Sequence, residues 1–341
     1  MRLSKFILII GLVLPAAYLR AQDHQYSQFF NSPVYLNPAL NGQFEGDLRM
    51  NLIYRNQWTS LQNNPTYVTA SIDYNVPRFG GGFGLMLTRG AEGAAYLTKT
   101  NVSGIYSYSV GADGFILSFG LQAGVTNRNI NWNNLVFSDQ IDPRLGFDPS
   151  LVTTAEVPAY NNKFYFDSGA GVNLVIGNFM IGSAAQHLNH PNESFTGAKA
   201  ILPMHVAAHA SYILDLDKYE NMYDDEKSFI IPSIVAYKQA NVQSVSAGIQ
   251  YKRRSINAGL WYRSGGDGPG AVVVSLIFDL FINRDGGEKL RFGISHDAPT
   301  SKLNYSNTSG STEGSIGYET TLPGRDQGYT KFTGRRCYDF Y

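Results

Sequence analysis

Two histidines, His205 and His209, have the H-x-x-x-H spacing that binds zinc when both fall on one face of a helix. The surrounding stretch, HVAAHASY, instead alternates apolar and polar residues, which is typical of a strand. On a strand the two imidazoles would share a face but lie about 13 Å apart, at about 3.3 Å per residue. They are therefore too far apart to share one metal ion, and we interpret them as polar residues lining an inner face.

Four residues of the acidic stretch DLDKYENMYDDE are spaced like calcium ligands: Asp215, Asp217, Asn221 and Glu226. A calcium loop needs glycine at its sharp turn, where this chain has Glu220, and Tyr219 stands at a ligand position. We therefore predict a solvated acidic loop at 214–228 rather than a calcium site.

An enzyme would need a histidine held beside a serine or a carboxylate. His187 and His190 lie near Glu193 and Ser194, but this group is too ordinary to indicate a catalytic centre. The stretch GGGFG is followed by more strand-like sequence rather than by a helix, so it does not match a phosphate-binding loop. We predict no enzyme activity and no catalytic, cofactor-binding or metal-binding residues.

The remaining charges fall on the polar faces of alternating segments. Arg49, Arg55 and Lys163 are candidates for ion pairs with Asp73 and Asp167, because a buried charge without a partner is costly. A filter for solutes is the alternative role. The formal net charge of zero gives no electrostatic support for a nucleic-acid partner.

The first residues have the pattern of a secretory leader. Arg2 and Lys5 precede the apolar run FILIIGLVLPAAYL, and Ala21 is a small residue at a cleavage position. The run is about 14 residues long, shorter than the roughly 20 that a spanning helix needs. We predict a signal peptide at 1–21 instead of a membrane anchor. The single cysteine, Cys337, excludes an intrachain disulfide.

Beyond the leader, apolar and polar residues alternate with period two, as in TYVTASIDYNV and FILSFGLQAGVT. The segments often reach about ten residues, the length of a membrane-spanning strand rather than of an average soluble one. Their polar face is rich in Gly, Ser, Asn and Gln, and aromatic residues stand near their ends. We predict an all-β fold, a transmembrane antiparallel up-and-down β-barrel of about fourteen strands. The predicted strands are 47–57, 66–76, 80–90, 97–110, 114–128, 163–175, 178–187, 203–213, 229–239, 242–252, 255–264, 270–282, 288–296 and 313–321.

Short and long connections alternate along this pattern, as they do in outer-membrane barrels. With the N-terminus in the periplasm, the long connections face outside. The acidic connection at 214–228 breaks the rule, so either one strand is miscounted or this loop is a periplasmic contact. We divide the chain into the leader, an N-terminal periplasmic or plug segment at 22–45, the barrel at 46–322, and a periplasmic C-terminal tail at 323–341.

The stretch FFNSPVYLNPALNG has no periodicity. Pro33 and Pro38 remove backbone donors and push the preceding residues out of helical conformation. Irregular backbone cannot face lipid. We therefore expect this stretch to cap or plug the barrel, and a docking surface for a partner is the alternative.

The opening QYSQFFNSPVYLNPALNG, followed by YRNQW and GGGFGLMLTRG, resembles that of the PorP/SprF family of type IX secretion system outer-membrane proteins. The resemblance extends through FGLQAG to the last strand. The ending RRCYDFY resembles a Cys-Pro-Arg-Phe terminus, with Cys337 in place and Tyr338-Asp339 where the family has Pro-Arg.

This resemblance implies a non-enzymatic protein of the Gram-negative cell outer membrane that supports protein export, including export of gliding adhesins. The implied partners are secreted cargo carrying a C-terminal signal, periplasmic and outer-membrane components of the secretion machine, and the lipid bilayer. From the residues alone, a general diffusion porin is the alternative.

Overall fold

The computed structural model describes residues 23–76, 80–93, 97–112, 114–148, 150–155, 158, 160–217, 227–265, 270–283, 288–300, 305–322 and 337–340. The predicted leader and most of the predicted tail lie outside these ranges. The same is true of residues 218–226, which include two of the four residues spaced like calcium ligands.

Fourteen long antiparallel strands form a closed barrel, as the sequence predicts. Each strand pairs with its neighbours along the chain, and the last pairs with the first from Leu48 opposite Thr320 to Asn56 opposite Thr312. Closure leaves no open sheet edge around the ring, which the hydrocarbon layer requires. The strands are β1 (Leu48–Asn56), β2 (Thr66–Val76), β3 (Gly81–Glu92), β4 (Leu97–Ala112), β5 (Phe115–Asn129), β6 (Asn162–Ile176), β7 (Phe179–Gln186), β8 (His205–Tyr212), β9 (Ser228–Gln239), β10 (Val242–Arg253), β11 (Ile256–Gly265), β12 (Ala271–Asn283), β13 (Glu288–Pro299) and β14 (Ser311–Thr320).

The two faces of the wall differ as the alternation predicts. On β1 the side chains of Met50, Leu52 and Tyr54 point outward and are exposed, while Arg49 and Arg55 point inward and are buried. The outward side chains form an apolar surface of the kind that membrane barrels present to lipid. The polar face of each strand points into the interior of the barrel, here called the lumen.

The two ends of the barrel carry different connections. The long-loop end has the connections 130–161, 187–204 and 300–310, and the short-turn end has tight turns such as 177–178 and 254–255. The chain enters β1 and leaves β14 at the short-turn end. The connection 213–227 also begins and ends there, although it is long. Because the strand count is fourteen, a miscounted strand does not explain it.

Helical structure is scarce in the described chain. Three short turns lie before β1: Phe29–Asn31, Pro33–Leu36 and Pro38–Leu40. No helix in the described ranges is long and apolar enough to cross a membrane.

Candidate functional site

The lumen is occupied by residues 23–44, here called the lumen segment. At the long-loop end, the backbone N–H of Asp23 donates to Gln239 Oε1 at 2.8 Å. Toward the short-turn end, the N–H of Gly42 donates to Asp73 Oδ2 at 2.8 Å. The segment therefore passes down the interior from one end to the other before the chain turns into β1. Most of its side chains are buried, polar and apolar alike.

Three asparagines of this segment bond to the barrel wall. Asn31 Nδ2 donates to Ser315 Oγ at 2.9 Å, and Asn37 Nδ2 donates to the carbonyl of Val172 at 3.0 Å. Asn41 accepts at its carbonyl from Ser107 Oγ at 2.6 Å. The side-chain oxygen of Asn37 also accepts from the N–H of Ala39, so Asn37 caps the short turn that begins at Pro38. The Asn/Pro pattern therefore supplies both the irregular backbone and its attachment to the wall.

Glycines on the inner face of the wall make room for this backbone. A Cβ atom at Gly120 would overlap the backbone of Pro38 and Ala39, and one at Gly171 would overlap the side-chain oxygen of Asn37. At Gly82 a Cβ atom would stand 2.7 Å from the Cα of Gly42. Within the GGGFG stretch, Gly82 therefore allows close packing of backbone on backbone.

A buried ionic cluster holds the start of the segment. Glu313, which is 0% exposed, accepts from the N–H groups of Ser27 at 2.7 Å and Gln28 at 2.8 Å. Arg55 bonds to Glu313 and lies 2.9 Å from Asp297. Arg263 also lies 2.8 Å from Asp297, which accepts from Ser27 Oγ at 2.8 Å. Two arginines and two carboxylates therefore balance in charge around the segment.

A second cluster surrounds Asp23 at the long-loop end. Its carboxylate lies 2.7 Å from Lys99 Nζ and 2.6 Å from His187 Nε2, and the other nitrogen of His187 lies 2.8 Å from Asp167. Burial by itself would raise the pKa of the Asp23 carboxyl, but Lys99 and His187 hold it well below its usual value. Burial would likewise lower the pKa of His187, but the neighbouring carboxylates raise it to about 9. Asp23 and His187 are therefore both charged at neutral pH.

We predict that this second cluster holds the lumen segment in place only within a limited pH range. The contribution of Asp23 is lost at the acid limit of this range, and that of His187 is lost at the alkaline limit. His187 has a raised pKa, so its stabilisation is complete below its unfolded pKa of about 6.5 and is lost as the pH rises through about 9. Asp23 has a lowered pKa, so its contribution is present above about 3.9 and is lost as the pH falls further. Spin-label mobility at Gln25, measured from pH 6 to 10, tests the alkaline limit, and the alkaline transition should be absent in His187→Gln. A transition that persists unchanged in that variant would contradict the assignment.

One side of the lumen, against strands β6 to β12, carries a cluster of apolar side chains that the sequence does not predict. Phe29 and Phe30 pack there against Trp261, with ring centroids 5.2 and 5.7 Å away. Cys337 and Phe340, near the C-terminus, are buried in the same cluster. Asn173 Nδ2 donates to Cys337 Sγ at 3.0 Å. The described part of the C-terminal segment therefore lies within the barrel.

The charged residues that the sequence analysis considered for ion pairs have structural roles in this interior. Arg49 pairs with Asp73 at 2.8 Å, as expected, whereas Arg55 pairs with carboxylates of β13 and β14. Asp167 is bonded by His187 rather than by Lys163.

The structure also shows where three of the residues considered for metal binding lie. His205 and His209 are buried on the inner face of β8, and Asp217 accepts from the N–H of Ser228. No group of three or more potential metal ligands occurs in the ranges that the structure describes.

The YRNQW stretch lines a cavity of about 250 Å³ at the long-loop end, beside Gln25 of the lumen segment. Arg55, Gln57 and Trp58 contribute to its wall, together with Arg263 and residues of β10.

Three features define the class of this protein: fourteen strands that close into a barrel, an apolar outer face and a polar network inside. The protein is an outer-membrane β-barrel with an occupied lumen. A family model described as "Type IX secretion system membrane protein PorP/SprF" matches residues 19–318. The chain belongs to this family, and it is an outer-membrane component of the type IX secretion system.

Solved barrels are similar in fold at low sequence identity. The Acinetobacter baumannii outer membrane protein Omp33 is 7% identical, with 82% of this chain and 99% of that chain covered and a TM-score of 0.43. A Pseudomonas aeruginosa FadL homologue is 11% identical, with coverages of 85% and 94% and a TM-score of 0.45. No curated protein sequence matches the chain.

Proposed function

We propose that this barrel supports export by binding proteins at its two ends rather than by conducting solutes or catalysing a reaction. The observation that carries the proposal is the occupied lumen. The lumen segment is bonded to the wall along its length, and the C-terminal residues pack beneath it. A diffusion porin needs an open aqueous path, and a segment that is bonded to the wall along the lumen favours the binding role over a porin.

The long-loop end is the surface that we propose for cargo, with this end outside the cell. The loop around 128–162 carries apolar side chains that stand free of the barrel, among them Leu145 at 88% exposure and Val152 at 91%. Apolar side chains concentrated on one surface are typical of protein interaction sites. We propose that this loop contacts secreted cargo such as a gliding adhesin.

At the short-turn end we propose contacts with periplasmic components of the machine. Two features support this assignment: the chain from β14 to the C-terminus begins there, and the acidic connection 213–227 begins and ends there. An acidic loop suits a partner with basic residues at its surface.

Purification from native membranes tests the proposal. We expect the barrel to be recovered together with a secretion component or a large surface adhesin. Deletion of residues 138–154 should reduce the amount of adhesin recovered with the barrel but not the amount of the secretion component. Planar-bilayer recording of the purified barrel tests the porin alternative. A large, stable current from the unmodified protein, or repeated recovery of the barrel alone, would contradict the binding role.

A further inference from the structure

The YRNQW stretch, which the binding role does not explain, forms one side of the cavity of about 250 Å³ at the long-loop end. β1 ends at Asn56, and Arg55, Gln57 and Trp58 all line the cavity around that point. The other lining residues come from the lumen segment, from β2 and from β10 to β14. None of the described lining residues belongs to the loop around 128–162, so this cavity is separate from the surface proposed for cargo.

Trp58 stands beside this cavity in an unusual backbone conformation. Its φ is +55°, which a bulky residue rarely adopts. Two successive backbone N–H groups keep it there: that of Trp58 donates to Ser311 Oγ at 3.3 Å, and that of Thr59 donates to the carbonyl of Gly310 at 3.1 Å. The backbone that carries the indole is therefore fixed, and residues held in this way cluster at ligand-binding sites.

Two buried polar atoms at this cavity have no hydrogen-bond partner within the described chain. Asp297 is 3% exposed, and its Oδ2 atom is bonded by Ser27 and by both arginines, whereas its Oδ1 atom has no partner. Ser244 is 8% exposed, and its hydroxyl also has no partner. Both residues line the cavity, which is far larger than the roughly 10–15 Å³ that one water needs. A ligand that bonds to both atoms would satisfy them.

The charges around the cavity favour a neutral ligand. The charged lining residues are two arginines and two carboxylates: Arg55, Arg263, Asp23 and Asp297. His24 also lines the cavity and adds no charge, because burial lowers its pKa to about 3. A cation would be repelled by the guanidinium groups and an anion by the carboxylates. A polar ligand without a formal charge avoids both costs.

The uncharged lining suits a ligand that has several hydroxyl groups and one apolar face. Amide and hydroxyl groups supply both donors and acceptors, from Gln57, Gln243, Ser244 and Ser311. A hydroxyl group both donates and accepts, so it can bond to a bare carboxylate oxygen and to an amide alike. Trp58 and Tyr67 add aromatic rings, which pack against C–H groups. The volume is below the roughly 300–1,000 Å³ of sites for drug-sized ligands, so it suits a single ring-sized unit.

We propose that this cavity binds a neutral sugar unit. One hydroxyl of the sugar donates to Asp297 Oδ1, another bonds to Ser244 Oγ, and the C–H face of the ring lies against Trp58. With the long-loop end outside the cell, the sugar is either the end of a surface polysaccharide or a free sugar. The site goes beyond the proposed export role and does not depend on it.

Saturation-transfer NMR on the full-length barrel tests the site, in a detergent without a sugar headgroup. The neutral probes are D-glucose, D-galactose, D-mannose and N-acetyl-D-glucosamine. D-glucosamine and D-glucuronic acid are charged counterparts of glucose, and the lipid-free surface polysaccharide of the source cells is the last probe.

Three variants locate the binding. Ser244→Ala removes the hydroxyl without a partner, and the matched control Ser246→Ala removes one on the same inner face of β10 that does not line the cavity. Trp58→Gly removes the ring at a φ that glycine adopts freely. Migration of unheated samples on gels checks that each barrel is assembled.

We expect a neutral sugar or the polysaccharide to bind the parent barrel and Ser246→Ala with equal affinity. Ser244→Ala should raise the Kd by roughly three- to tenfold, the loss of one hydrogen bond, and Trp58→Gly should raise it by about tenfold or more. Binding of a monosaccharide identifies a free sugar as the ligand, and binding of the polysaccharide alone identifies the surface glycan. The site would be overturned by the absence of saturation transfer from every neutral probe, by tighter binding of a charged sugar, or by an unchanged Kd in Ser244→Ala.

Discussion

Replacement of Gly120 by leucine is expected to turn a silent barrel into one that conducts ions. The lumen segment crosses the wall at Gly120 so closely that even a Cβ atom would overlap the backbone of Pro38 and Ala39. Strand β5 is fixed by both of its neighbours through its whole length, so the segment must move instead of the wall. Planar-bilayer recording should show discrete current steps in the variant where the parent protein shows none.

The matched control is Gly104→Leu in the adjacent strand. Gly104 points outward, and the nearest atom to a Cβ there is the carbonyl oxygen of Ala123 at 3.9 Å. This variant carries the same change in size on the lipid face and should stay silent. Asn37→Ala provides a second route to the same result, since it removes the bond to Val172 from the segment itself. A silent, correctly assembled Gly120→Leu barrel would show that the segment can be displaced without opening a path.

Glu313→Ala is expected to cause the largest loss of stability among single substitutions in the lumen. Glu313 is fully buried and bonds Arg55 and the two N–H groups of Ser27 and Gln28. Its removal leaves a buried guanidinium without one of its carboxylates, and breaking a buried pair in this way costs about 3–5 kcal/mol. Urea unfolding in detergent micelles measures the free energy. Chymotrypsin should also cleave at Phe29 or Phe30, which are buried in the intact protein.

Glu319→Ala is the control for this second prediction. Glu319 lies on the same inner face of β14 near the short-turn end and is paired with Lys289 at 3.0 Å. We expect a smaller loss of unfolding free energy and no new cleavage at Phe29, because this pair joins two wall strands. Equal losses in the two variants, or continued protection of the lumen segment in Glu313→Ala, would show that the cluster does not hold the segment.

The strands of this protein could be predicted from sequence alone because the two environments of a membrane barrel differ strongly. Lipid outside and a polar interior impose period two, so the inward positions of Arg49, Asp73 and His209 follow from counting. The irregular stretch before β1 was equally evident, because its prolines exclude regular pairing. The same reasoning failed for the apolar cluster on one side of the lumen, where Val273 and Ile277 occupy inner positions of β12 that the alternation assigns to polar residues.

What the sequence by itself determined is the local structure: fourteen alternating segments, an irregular opening and a family likeness carried by short motifs. Only the tertiary structure decided which residues meet inside. Ser27 and Glu313 are 286 positions apart, and their contact depends on the closure of β14 onto β1 and on the downward path of the lumen segment. Periodicity records which face a residue occupies, but not its height along the wall or its neighbour across the interior, since these depend on how all the strands are staggered together.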